Sequence, residues 1–94
     1  MATKCGGHSA VKADPEGIAK ITLWRPLFEK KAGAPFADFE VLGYTTQVVA
    51  GVNYKVKVRI AETEYAHAKV FVPLGENPSP QVTEFFKAAK EDSL

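Results

Sequence analysis

The stretch Val52-Asn53-Tyr54-Lys55-Val56-Lys57-Val58-Arg59-Ile60 decides how this chain folds. Apolar Val52, Tyr54, Val56, Val58 and Ile60 alternate with polar or charged Asn53, Lys55, Lys57 and Arg59. A strict period of two gives a strand with one dry and one wet face, the signature of an antiparallel sheet covered on one side. On its N-terminal side, Phe39 to Val49 is rich in aromatic and β-branched residues and reads as the preceding strand. On its C-terminal side, Ala61-Glu62-Thr63-Glu64 is a polar turn, and Tyr65 to Val72 follows as a strand with Ala66, Ala68, Val70 and Val72 on one face. His67 and Lys69 fall on the other face, where His67 is expected to be exposed. Pro73-Leu74-Gly75-Glu76-Asn77-Pro78-Ser79-Pro80 is a loop by composition. Gln81 to Phe86 is the last strand, and the charged residues after it are expected to fray.

Before the strands, Asp14-Pro15-Glu16 marks a helix start, with Asp14 as N-cap, Pro15 in the first position and Glu16 in the positive first turn. Ile21, Trp24, Leu27 and Phe28 keep the spacing of one helix face, and Gly33 ends the segment. Pro26 removes the hydrogen bond to the Thr22 carbonyl, which predicts a kink near Trp24 rather than two separate helices. Residues 1–13 read as a flexible arm with a short strand around Ser9 to Lys12. The expected architecture is α+β, a single amphipathic helix on an antiparallel sheet of four to five strands, all in one domain over 1–94. Small Ala66 and Ala68 leave room beneath the helix for Trp24 or Phe28.

Composition narrows the function. The 94 residues are 46% hydrophobic and 24% charged, as in an ordinary globular domain, and the formal net charge is +1. That balance gives no strong field for nucleic acid or an anionic membrane. No apolar run nears the roughly 20 residues needed to span a bilayer, and the start of the chain lacks a signal-peptide core, so a cytoplasmic location is the expectation. Cys5, the one cysteine, stands in a glycine-rich terminus with nothing to fix a base beside it. His8 and His67 have no metal-ligand spacing. Lys55, Lys57 and Arg59 lack interleaved stacking aromatics and read as a solvated sheet face. No phosphate loop, carboxylate pair or nucleophile–base arrangement stands out, so neither enzyme activity nor a cofactor is expected.

One feature departs from the ordinary. The tip between the first two strands, Gln47-Val48-Val49-Ala50-Gly51, is almost wholly apolar where a polar turn is normal. Such a tip suggests a surface that another protein covers. In a meander the first and third turns lie at the same end of the sheet. An arm pairing antiparallel with the strand that ends at Val49 would begin at that end too. Gly6-Gly7, Gln47 to Gly51 and Pro73-Leu74-Gly75 would then form one narrow edge without charge, shaped for a groove.

These residues resemble the cystatins, in particular the intracellular stefin type. Gln47-Val48-Val49-Ala50-Gly51 stands as the family's QxVxG signature and is followed by Val52-Asn53-Tyr54; the length and lack of disulfides also fit. The resemblance implies a reversible, tight-binding, non-covalent inhibitor of papain-like, cathepsin-type cysteine proteases. It places Gly6 or Gly7 as the N-terminal glycine, Gln47, Val48, Val49, Ala50 and Gly51 as the first hairpin, and Pro73, Leu74 and Gly75 at the second. Stefins often carry Leu-Pro in that second loop, whereas this chain has Leu74-Gly75 with its proline at Pro73. The alternative reading is a cystatin-fold interaction module without a protease target; a thiol enzyme using Cys5 and His8 is a third. A monomer is expected, with a strand-exchanged dimer accessible by opening the hairpin at Gly51.

Overall fold

The computed structural model describes residues 10–75, 79–92 and 94. Four strands, β1 (Glu40–Val49), β2 (Gly51–Ala61), β3 (Glu64–Pro73) and β4 (Gln81–Ala88), form an antiparallel meander in the order β1-β2-β3-β4. The alternation in β2 sets the layers: Tyr54, Val56, Val58 and Ile60 are buried, while Asn53, Lys55, Lys57 and Arg59 lie on the outer face. A bulge between Val41 and Gly43 shifts the β1 register and gives the strand end extra twist.

The helical layer is two short helices, α1 (Pro15–Thr22) and α2 (Arg25–Ala32), and not one kinked helix. The break follows from Pro26. Its missing N–H removes the bond to Thr22 O, and α1 ends in tighter turns, with Leu23 N donating to Lys20 O and Trp24 N to Ile21 O. Trp24 O then accepts from Leu27 and Phe28 and starts α2, where Pro26 sits in the first turn and its missing donor is not needed. Gly33 closes α2 at φ 82°. The break lets α1 lie against β1 and α2 against β4. Ile21, Trp24 and Phe28 reach the core with Ala66 and Ala68, as the small residues in β3 imply. Leu27 stays at the rim, 36% exposed.

One carboxylate ties the helices to the sheet. Asp14 Oδ2 accepts from Gly17 N at 2.8 Å and caps α1, while Asp14 Oδ1 accepts from the Tyr44 hydroxyl at 2.5 Å. Both bonds favour the ionised form, the Tyr44 bond most, and hold the Asp14 carboxyl below the usual range. The same bond, with burial, pushes Tyr44 up to about 12. Gly17 permits this approach, because a Cβ there would collide with the Tyr44 ring. A second clamp fixes the connection after α2. Arg25 donates to Glu29 and to the Phe36 carbonyl at 2.7 Å, and Glu29 accepts from Phe36 N at 2.9 Å.

Three expectations for the outer face need correction. His67 is buried, at 9% exposure, and residues 89–92 after β4 do not fray. Ala89 N donates to Asp92 Oδ2 at 2.9 Å, and Lys57 Nζ donates to the carbonyls of Lys90 and Asp92. The segment folds back over the sheet because Lys57 offers its unsatisfied carbonyls a charged donor. Arg59 is likewise engaged, with Asp38 at 3.2 Å and Glu40 at 3.1 Å, so the basic stripe is not simply solvated.

Candidate functional site

The first hairpin is tight. Val48 pairs with Val52 and Val49 with Gly51, leaving Ala50 alone at the apex. Side chains alternate across a strand, so Val48 and Val49 face opposite sides of the tip. Val48 is 71% and Val49 43% exposed. Gly51 itself is buried, at φ 132°, and its backbone runs against β3: a Cβ there would lie 2.6 Å from the Val72 carbonyl oxygen and 2.8 Å from Phe71 Cζ. Only glycine combines that φ with that approach.

Gln47 is half-buried and held from across the hairpin. Asn53 Nδ2 donates to Gln47 Oε1 at 3.0 Å, between residues directly opposite in register. This bond favours one orientation of the amide at the base of the tip.

The second loop lies beside the first. Gly51 pairs with Pro73, so the start of the 73–75 loop is adjacent to the apex. Pro73 is half-buried, Leu74 is 75% exposed, and Gly75 is exposed at φ 142°. Val48, Val49 and Leu74 thus form one apolar edge that carries no ionisable side chain. It protrudes, unlike a depression of about 350 Å³ at the other end of the sheet that includes Phe36, Ile60 and Phe85.

Gly6 and Gly7 lie outside the described residues. Of the expected arm strand, Ser9 lies outside the described residues, and Lys12 bridges to Tyr44: Lys12 N donates to Tyr44 O at 2.7 Å and Tyr44 N to Lys12 O at 3.0 Å. The pairing is antiparallel, so Val11 and Ala10 leave the bridge in the direction of the tip.

Among the described residues, no group of three or more His, Cys, Asp or Glu side chains could hold a metal ion, and no helix is long and apolar enough to cross a membrane. Two contributors to the edge were not singled out from sequence. Asn53 could have been found by pairing outward from Ala50, which sets position 53 opposite 47. Phe71, under the glycine, has no local signal, since its neighbour across the sheet depends on the β2–β3 register.

The geometry is that of a sheet-and-helix domain presenting an exposed apolar edge. A family model described as "Cystatin domain" matches residues 7–90, and the chain belongs to the cystatin family. It is similar to human Cystatin-A, 39% identical over 95% of this chain and 94% of the relative, and to Cystatin-B of Macaca fuscata fuscata, 33% identical over 96% and 95%. It is also similar to leukocyte cysteine proteinase inhibitor 1 of Sus scrofa, 35% identical over 87% of this chain and 82% of the relative.

Proposed function

We propose that this chain is a reversible, tight-binding, non-covalent inhibitor of papain-like cysteine proteases of the cathepsin type. It acts as a monomer in the cytoplasm and catalyses no reaction of its own. The observation that carries this reading is the exposed apolar edge of Val48, Val49 and Leu74, set side by side by the Gly51–Pro73 pairing. Membership of the cystatin family and a relative named as a cysteine proteinase inhibitor support the target class.

The edge enters the protease cleft with Gln47 to Gly51 in the middle and Pro73 to Gly75 on one side. Gly6 or Gly7 would flank it on the other side, a reading that the antiparallel bridge at Lys12 supports by pointing Val11 and Ala10 toward the tip. Covering Val48, Val49 and Leu74 contributes roughly 1.5–3 kcal/mol each when burial is complete. These gains offset the cost of association, and a hairpin already fixed by the Gln47–Asn53 bond and the buried Gly51 loses little entropy on docking. No covalent step is needed, and Cys5 has no part in it.

The test is titration of papain with the purified chain, followed by the mass of the recovered inhibitor. Stoichiometric loss of activity with an intact chain is expected. Full protease activity at micromolar inhibitor would overturn the proposal, and a cleaved chain would make it a substrate. Size-exclusion chromatography of the same sample is expected to give a monomer. A dimer without inhibition would mean that the hairpin has opened at Ala50-Gly51 and the edge is consumed.

A further inference from the structure

His67 is a buried titratable group that the apolar edge does not use. It lies on the outer sheet face opposite Lys57 of β2 and Phe86 of β4, with its ring edge-on to Phe86 at a centroid distance of 5.8 Å. Its Nε2 is buried without a hydrogen-bond partner among the described residues. The segment after β4 crosses this region. Lys57 Nζ holds it through the Lys90 and Asp92 carbonyls, the latter at 2.6 Å. Leu94 lines a depression of about 200 Å³ together with His67, Lys55, Lys69 and Phe86. The same Leu94 borders a second depression beside Val11, Leu42 and Lys57.

We propose that residues 89–92 with Leu94 form a strap over the outer sheet face, closed at neutral pH and released when His67 takes a proton. In the closed arrangement a proton on Nε2 would be a buried donor without an acceptor, which is costly. The charges around the ring add to that cost. Lys57 faces it from β2, flanked by Lys55 and by Arg59, the latter paired with Asp38 and Glu40, and Lys69 faces it from β3, where Tyr65 is the other titratable neighbour. From β4 Glu84 faces it, but is paired with Lys69 at 3.4 Å. The strap brings Lys90, Glu91 and Asp92. Burial, and then Lys57, hold the imidazole below its ordinary range, while the backbone and charge of Asp92 act the other way.

The sign follows from proton linkage. The open state, with His67 in water, binds a proton more readily than the closed state. Closure is therefore fully favoured above the ordinary histidine pKa and weakens as pH falls through it. Release frees the Lys57 ammonium and uncovers His67 beside the already exposed Leu42 and Phe86, a surface separate from the apolar edge.

The experiment is hydrogen exchange of the full chain, read by mass spectrometry at about pH 7.5 and about pH 5, either side of the ordinary histidine value of about 6.5. Rates are corrected for intrinsic chemistry. Exchange across residues 89–92 is expected to rise several-fold at the acid pH, with β2 and β3 amides unchanged. His67→Gln is expected to abolish the pH response, and Lys57→Met to leave the strap open at both values. Equal protection of 89–92 at the two pH values in the unaltered chain would overturn the proposal, as would an undiminished response in His67→Gln. Should that variant not fold, the His67 ring proton titration followed by NMR replaces it. Its midpoint must coincide with strap opening, and a separate midpoint would refute the link.

Discussion

Replacing Gly51 with alanine places one methyl group where the hairpin has no room for it. The new Cβ would stand 2.6 Å from the Val72 carbonyl oxygen, a backbone atom of β3, and 2.8 Å from the Phe71 ring. The ring can rotate away, but the carbonyl can yield only if the β2–β3 pairing shifts. The φ of 132° adds strain of about 1–3 kcal/mol for a residue with a side chain. That energy can emerge in two places. If the free protein keeps its conformation, Tm falls by about 4–8 °C for each kcal/mol in a domain of this size. If the tip instead swings away from β3, Tm changes little, and the protease must pull it back, weakening inhibition by roughly five- to 150-fold. Thermal denaturation and the inhibition constant against papain, measured on the same Gly51→Ala sample, read both. A variant unchanged in Tm and in inhibition would refute the claim that this glycine fixes the edge.

Other expectations follow from the same geometry. Leu74→Ala removes most of an exposed side chain and should leave Tm unaltered while weakening inhibition by about 1–2.5 kcal/mol, roughly five- to seventyfold, in a protease titration. Ala68→Leu overfills the space beneath Trp24 and Phe28 and should cost about 1–3 kcal/mol of stability in chemical denaturation, with an unchanged Cm counting against the packing described. The Asp14–Tyr44 bond predicts pH dependence at both extremes. Asp14 is held low, so its contribution is present above the ordinary carboxylate range and lost as pH falls through its own; Tyr44 is held near 12, so stability falls as pH rises beyond the ordinary tyrosine range. Tyr44→Phe should flatten both limbs in denaturation curves taken across pH.

Much of this was legible in the chain, for identifiable reasons. The alternation from Val52 to Ile60 is a local pattern with one physical meaning, and the meander that follows from it brings Gly51 beside Pro73 without any tertiary information. The apolar tip stood out because turn chemistry is also local. The helix break was harder. Pro26 is compatible with a kink or a first turn, and the choice depended on whether one straight segment could reach both β1 and β4. The burial of His67 had no local sign at all. Its cover comes from residues more than twenty positions away, held by a lysine on another strand, and the charged composition of that segment pointed to solvent.

The central claim is that the edge at 47–51 and 73–75 docks into a protease cleft. Hydrogen exchange of the chain with and without papain tests it most directly. Added protection is expected over the first hairpin and the 73–75 loop, with none across α1 and α2. Protection confined to the helices or to the outer sheet face, with the hairpin exchanging as in the free protein, would contradict the account.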